Sequence, residues 1–229
     1  MTVTTTTLLR AAGLSAVVGG LLFCAVQIAH PPVDLALVTT TEWKVRQSMK
    51  VALAALSLAG ITGIYLRQVT KTGVLGLIGY VVFAVNYLIM LSNEVIGLFV
   101  LPTLASQAPG YVSDVLAAAT GGTVTGDLGL YGSLNTVAGL AYLGGGLLFG
   151  VALLRAGILA RWAAVVLALG TVSSVAIPFL PQVNQRLFAI PTGIALAGLG
   201  YSLWREQRTS TTPALRSPVG PQLDPAGAR

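Results

Sequence analysis

Residues 74–105 read VLGLIGYVVFAVNYLIMLSNEVIGLFVLPTLA, and this run decides the fold class. It is long enough to cross a bilayer, because ~20 apolar residues in a helix span the hydrocarbon core. Its one charge is Glu94, the only carboxylate inside any long apolar run of the chain. A charge in that setting is costly unless it is paired, protonated or turned toward a wet cavity. The functional reading is therefore built around Glu94.

The rest of the chain has the same character. Of its 229 residues, 55% are hydrophobic and only 9% are charged. Soluble domains carry about 25% charged residues, so lipid is the solvent that suits this surface. Apolar runs at 9–29, 48–67, 73–101, 130–154, 159–180 and 186–204 predict an all-α polytopic protein. The expectation is a single bundle of six transmembrane helices over residues 1–208, followed by a disordered cytoplasmic tail over 209–229. Arg10 followed by an apolar stretch also fits a signal peptide. That stretch exceeds a usual h-region and no small-residue cleavage site follows it, so it reads as a retained first helix. The single cysteine, Cys24, reads as a core thiol.

Charge sets the orientation. With the N-terminus inside, the inner side receives Arg10, Arg67, Lys71, Arg155, Arg161, Arg205, Arg208, Arg216 and Arg229. The outer side receives Lys44, Arg46, Lys50 and Arg186. Positive residues favour the cytoplasmic side, which predicts both termini in the cytoplasm. The net charge of +6 is spread over the ends of apolar segments, a pattern of topology rather than nucleic-acid binding. The inner connections, Gln68 to Thr72 and Ala156 to Leu159, are tight. The outer connections, 30–47 and 102–129, are long enough to be functional. Within the second, Tyr111 to Ala119 predicts a short interfacial helix. Pro191 falls inside the sixth span, predicting a helix that starts near Arg186 and kinks at the proline.

The third span carries Asn86, Tyr87, Met90, Asn93 and Glu94 as two adjoining polar lines on one helical face. Counting ~1.5 Å per residue from Gly73 puts Glu94 about 31 Å along, near the outer boundary. Other spans bring polar residues to the same level: Gln27 and His30, Lys50, then Tyr131, Asn135 and Tyr142, and finally Arg186. The inner halves are nearly free of polar groups, which counts against a conducting pathway. The expected site is an outer-leaflet pocket. Glu94 and His30 are its candidate catalytic residues, and Asn86, Tyr87, Asn93, Tyr131, Asn135, Tyr142, Trp43 and Arg186 its candidate ligand contacts. The same residues also read more simply: the asparagines as glue between helices, Glu94 as a structural ion pair with Lys50 or Arg186, and Trp43 as an interface anchor.

Several motifs are missing: a Walker loop, Gly-x-Ser-x-Gly, His-Glu-x-x-His and an aspartate-rich diphosphate motif. With one histidine and one cysteine, no metal site or cofactor is expected. The glycine-rich fourth span (Gly139, Gly144, Gly145, Gly146, Gly150) predicts close helix packing. That packing is expected within the chain, with a homo-oligomer or a partner membrane protein as the alternative.

The strings Gly63-Ile64-Tyr65-Leu66-Arg67-Gln68, Gly76-Leu77-Ile78-Gly79-Tyr80, Val100-Leu101-Pro102 after Glu94, and Arg155-Ala156-Gly157 with Arg161-Trp162-Ala163-Ala164 resemble small multi-pass membrane proteins common in actinobacteria. The resemblance implies six helices in a bacterial plasma membrane and carries no activity with it. The leading functional expectation is a pocket for a membrane lipid or other small amphipathic molecule, with no catalysis assigned. The alternatives are a membrane-embedded terpenoid cyclase or isomerase with Glu94 as general acid, and an accessory subunit of a membrane complex. In the cyclase reading Tyr80, Phe83, Tyr87, Tyr131 and Tyr142 line the cavity and stabilise a carbocation.

Overall fold

The computed structural model describes residues 3–28, 31, 33–175 and 186–209, with the backbone alone for Arg186. His30 and the tail over 210–229 lie outside the described residues. Every regular element described is helical: α1 (Thr5–Ala25), α2 (Leu35–Val38), α3 (Thr41–Phe99), α4 (Leu101–Gln107), α5 (Pro109–Thr120), α6 (Leu130–Ala156), α7 (Arg161–Ser173), a 3₁₀ turn (Arg186–Ala189) and α8 (Ile190–Thr209). Four of these are long and apolar enough to cross a membrane: α1, α3, α6 and α8 counted from Leu187.

The 59 residues of α3 are not one straight rod. Gly73 sits at φ 58°, ψ −158°, a conformation open essentially to glycine alone, and the chain reverses there. Contacts between the two arms straddle Gly73 ever more widely. Thr62 Oγ1 meets Tyr80 OH at 3.0 Å, Gln47 reaches Glu94, and Trp43 reaches the Gly97 carbonyl. The arms 41–72 and 74–99 therefore form an antiparallel hairpin. The expected loop Gln68–Thr72 is helical, because one glycine makes the whole turn.

Other boundaries also differ from expectation. The first arm begins at Thr41 rather than near residue 48. Thr40 caps it, its side chain accepting the Trp43 N–H at 3.2 Å, and Glu42 follows in the first turn. Pro191 lies in the first turn of α8, where its missing N–H is harmless, so the expected kink is not needed. α8 recovers its length at the other end by running on to Thr209. The interfacial helix expected at Tyr111–Ala119 is α5, extended to Pro109 and Thr120. The fifth expected span is described as α7 and ends at Ser173, with residues 176–185 outside the described set.

The helices close into a ring in which α1 contacts α3 and α8, α3 contacts α6, and α7 joins α6 to α8. Small residues set the spacing. A Cβ on Gly13 would lie 2.9 Å from the Gly200 carbonyl, and one on Gly150 would lie 2.8 Å from the Ala168 nitrogen. Phe83, Tyr87, Phe149, Leu167, Leu196 and Leu199 fill the centre and are fully buried. Outward-facing Leu8, Leu21, Val74, Leu77, Leu88, Leu140 and Leu169 are exposed apolar residues. A helix apolar on its outer face as well as its inner one suits lipid.

Candidate functional site

The N-terminal cap of α3 decides what its first arm presents. With the helix starting at Thr41, Trp43, Gln47 and Lys50 fall at i, i+4 and i+7 on one face. Opposite them on the second arm stand Asn86, Met90, Asn93, Glu94 and Gly97, while α6 adds Tyr131, Asn135 and Ala138. These three helical faces enclose a cavity of about 280 Å³.

Glu94 is held from the first arm. Gln47 Nε2 donates to Oε2 at 2.8 Å, and Lys50 Nζ stands 3.9 Å from the same oxygen. Both side chains of the ion pair are mostly buried, at 18% exposure for Lys50 and 17% for Glu94. The close approach at the neighbouring turn depends on Gly97. A Cβ there would run into Gln47 Nε2, and the Trp43 indole N–H donates to the Gly97 carbonyl at 2.8 Å. Asn93 faces the other way, donating to Asn135 Oδ1 on α6 at 3.1 Å. Glu94 thus ties the hairpin together, while Asn93 ties the hairpin to α6.

The polar wall is not saturated. Among the described residues, buried Gln47 Oε1, Asn93 Oδ1 and Asn135 Nδ2 have no hydrogen-bond partner. Buried amide atoms in proteins are rarely left so, and each one costs about 1–3 kcal/mol when unmet. All three atoms belong to residues that line this one cavity.

The roof comes from the outer connection. α4 and α5 supply Leu101, Val115 and Leu116, with Ala119 and Thr120 at the edge. Leu101, Val115 and Leu116 form, with Val38, Trp43, Val112 and Leu128, an apolar cluster separate from the main core. Asp114 anchors the loop that follows. Its buried carboxylate accepts the Thr125 N–H at 2.8 Å, the Thr125 hydroxyl at 3.1 Å and the Gly126 N–H at 2.9 Å. These donors, the Thr125 backbone N–H foremost, hold the Asp114 carboxyl below its ordinary range.

Of the residues singled out in the sequence, the cavity gathers Glu94, Asn86, Asn93, Trp43, Tyr131 and Asn135. It does not gather Tyr87 or Tyr142. Tyr87 is fully buried, edge-on to Phe83 with centroids 5.1 Å apart, and Tyr142 bonds Thr192 on α8 at 2.6 Å. Tyr80 and Phe83 belong to the same core, Tyr80 stacking on Tyr65 at 4.5 Å. The expected aromatic lining is thus corrected: only Tyr131 of those five rings reaches the cavity, because the others point to the centre of the helical ring. His30 and the Arg186 side chain lie outside the described residues.

Gln47 is the contact that sequence reasoning missed, having been assigned to a loop. The run Thr39-Thr40-Thr41-Glu42, a capping signal ahead of a helix, carried the information. At the opposite end of the hairpin, Arg67 forms a two-point ion pair with Glu206, with Nε donating to Oε2 at 2.9 Å. Beside it Arg208 lies over the Trp204 ring at 4.7 Å. No group of three or more His, Cys, Asp or Glu that could hold a metal occurs among the described residues.

No protein-family model, curated protein or solved structure matches the chain.

Proposed function

We propose that this chain is a multi-pass plasma-membrane protein of six spans, with both termini cytoplasmic, that binds a small amphipathic molecule in the cavity beside Glu94. The six spans are α1, the two arms of α3, α6, the apolar run 159–180 that contains α7, and α8. The orientation rests on the excess of Lys and Arg at the inner ends. The observation that carries the binding reading is the meeting of an ion pair, three unmet amide atoms and two aromatic side chains around one roofed cavity. Ligand sites are concave, largely apolar and furnished with a few converging polar groups. At about 280 Å³ the space is near the lower end of such pockets, which run from about 300 to 1,000 Å³, so it suits a head group or small molecule.

The cyclase alternative draws less support. Its aromatic residues are spent in the core, and its second acid is missing from the cavity. Asp34 caps α2, and Glu42 pairs with Arg46 at 3.0 Å. The accessory-subunit alternative loses part of its basis too, since Gly145, Gly146 and Gly150 pack against Phe83, Thr171 and Ala168 of the same chain.

The test is native mass spectrometry of the protein purified from membranes in mild detergent, beside an Ala138→Phe variant that fills the cavity. A co-purified small molecule is expected on the wild type and lost from the variant. An adduct retained in a folded Ala138→Phe protein, or none on either, would count against the reading.

A further inference from the structure

From the cavity wall at Tyr131, α6 runs about 37 Å to Ala156 and delivers the chain to the opposite end of the bundle. There Gly157, at φ 64°, turns it toward α7, which begins at Arg161. The turn is pinned to α8, the Ala160 N–H donating to Ser202 Oγ at 3.1 Å. The Trp162 ring then leans on α8 at Gly198, where a Cβ would lie 2.5 Å from its Cη2. Gly198, Tyr201, Ser202 and Arg205 fall at i, i+3, i+4 and i+7, so one face of α8 carries all four. Arg161, Trp162, Tyr201 and Arg205 thus meet where the α6–α7 turn crosses α8.

We propose that this crossing is a docking surface for an anionic phospholipid, with the phosphodiester at Arg161 and Arg205 and an acyl chain along α7. Only the leaflet, the cytoplasmic one, rests on the proposed orientation.

Charge complementarity favours an anion. Arg155, Arg161 and Arg205 are exposed and take part in none of the ion pairs among the described residues. The described acid at this end of the bundle, Glu206, is bound to Arg67. A guanidinium presents its N–H donors in a planar fork that matches phosphate oxygens. A choline or ethanolamine head group would instead bring a further cation among these arginines.

The order of polarity favours a diacyl lipid over a free phosphate. On α7, Trp162, Val165 and Leu169 lie at i, i+3 and i+7, all exposed, and carry an apolar stripe away from the arginines. On α8, Arg205, Tyr201 and Ile194 repeat that order from charge to ring to aliphatic chain. Trp162 and Tyr201 are large rings left 55% and 53% exposed, and such rings sit at head-group level in membranes. Cation, ring and apolar stripe follow one another as phosphate, glycerol backbone and acyl chain do in a phospholipid.

The experiment titrates full-length protein in mild detergent at low salt and counts bound molecules by native mass spectrometry. The probes are dioleoyl phosphatidylglycerol, dioleoyl phosphatidylcholine and glycerophosphoglycerol. An arginine near an anionic head group changes affinity about fivefold, so the wild type is expected to prefer phosphatidylglycerol to phosphatidylcholine by roughly 25-fold. Arg161→Gln with Arg205→Gln should abolish that preference. Each single variant should lose about fivefold of it, and the singles decide if the double misfolds. Arg10→Gln with Lys71→Gln removes the same charge from the α1 and α3 side of this end and should retain the preference. A preference that survives the first double, or falls equally in both, would overturn the proposal. So would a wild type without preference, or one that binds glycerophosphoglycerol as tightly as the diacyl lipid. Labelling of Ile158→Cys from outside intact cells would overturn the orientation and the leaflet with it, while binding in detergent, which has no sides, tests the surface alone.

Discussion

The indole of Trp43 donates to the carbonyl of Gly97 at 2.8 Å, across the open end of the α3 hairpin. Gly97 has no side chain at that contact, and the space a Cβ would take is filled by Gln47 Nε2, the group that holds Glu94. Gly97→Ala should therefore push Gln47 off the carboxylate and destabilise the protein by about 1–3 kcal/mol, the usual cost of overpacking. Thermal unfolding in detergent measures this. An unchanged melting temperature would show that the amide can move aside at no cost.

Gly73→Ala should also destabilise, for a different reason. No atom lies within 4 Å of a Cβ placed there, so the cost is that of forcing alanine to φ 58°. Strained backbone of this kind costs about 1–3 kcal/mol. Gly139→Ala is the control, being helical with open space around it, and should be neutral or stabilising by up to about 1 kcal/mol.

The glycines of α6 divide into two sets. Gly150→Ala brings a methyl to 2.8 Å from the Ala168 nitrogen, and Gly145→Ala brings one to 2.7 Å from the Phe83 Cα. Both are expected to lower the melting temperature of the monomer, while Gly144→Ala, with nothing within 4 Å, leaves it unchanged. Light scattering on the same samples separates the two roles: loss of an oligomer with Gly144→Ala alone would reveal a face used between molecules.

Asp114 predicts a pH response confined to the loop it anchors. Its carboxyl is held below the ordinary range in the folded state, so its stabilising effect is complete above the ordinary carboxylate pKa. The effect is lost as pH falls through the lower folded value. Hydrogen exchange at the Thr125 and Gly126 amides, corrected for intrinsic rates, should accelerate as the pH drops below the carboxylate range. Asp114→Asn should exchange fast there at neutral pH and show no such acceleration. Equal protection in both proteins would mean that other contacts hold the loop.

The proposed six-span topology predicts labelling with a membrane-impermeant maleimide in a Cys24→Ser background. Thr123→Cys should react from outside intact cells, whereas Ile158→Cys should react only after lysis. The reverse pattern would invert the protein, and labelling of both from outside would remove a crossing.

The apolar runs were legible in the sequence because they are long, continuous and interrupted by charge. The short helix α5 was legible as well, from Pro109-Gly110 at its start and Gly121-Gly122 after it. The direction in which each polar residue faces was not. A helical wheel puts Tyr87 and Glu94 on one line, yet it cannot say that the neighbour opposite Tyr87 is the packed core and the neighbour opposite Glu94 is Gln47. In helices that are apolar all round, such as α6, pattern carries no information about which side meets protein and which meets lipid. Gln47 was hidden for a simpler reason: its helix starts about two turns before the apolar run, inside a stretch of mixed polarity.

The hairpin of α3 has no slack. Its arms are joined by one residue, so the facing of Gln47 to Glu94 is set by counting outward from Gly73 along two rigid helices. An inserted or deleted residue anywhere in either arm would rotate everything beyond it by about 100° and carry one wall of the cavity away from the other. Length variation has room instead in residues 121–129, where the chain returns to α6 through a loop and Asp114 alone would need to find its partners again.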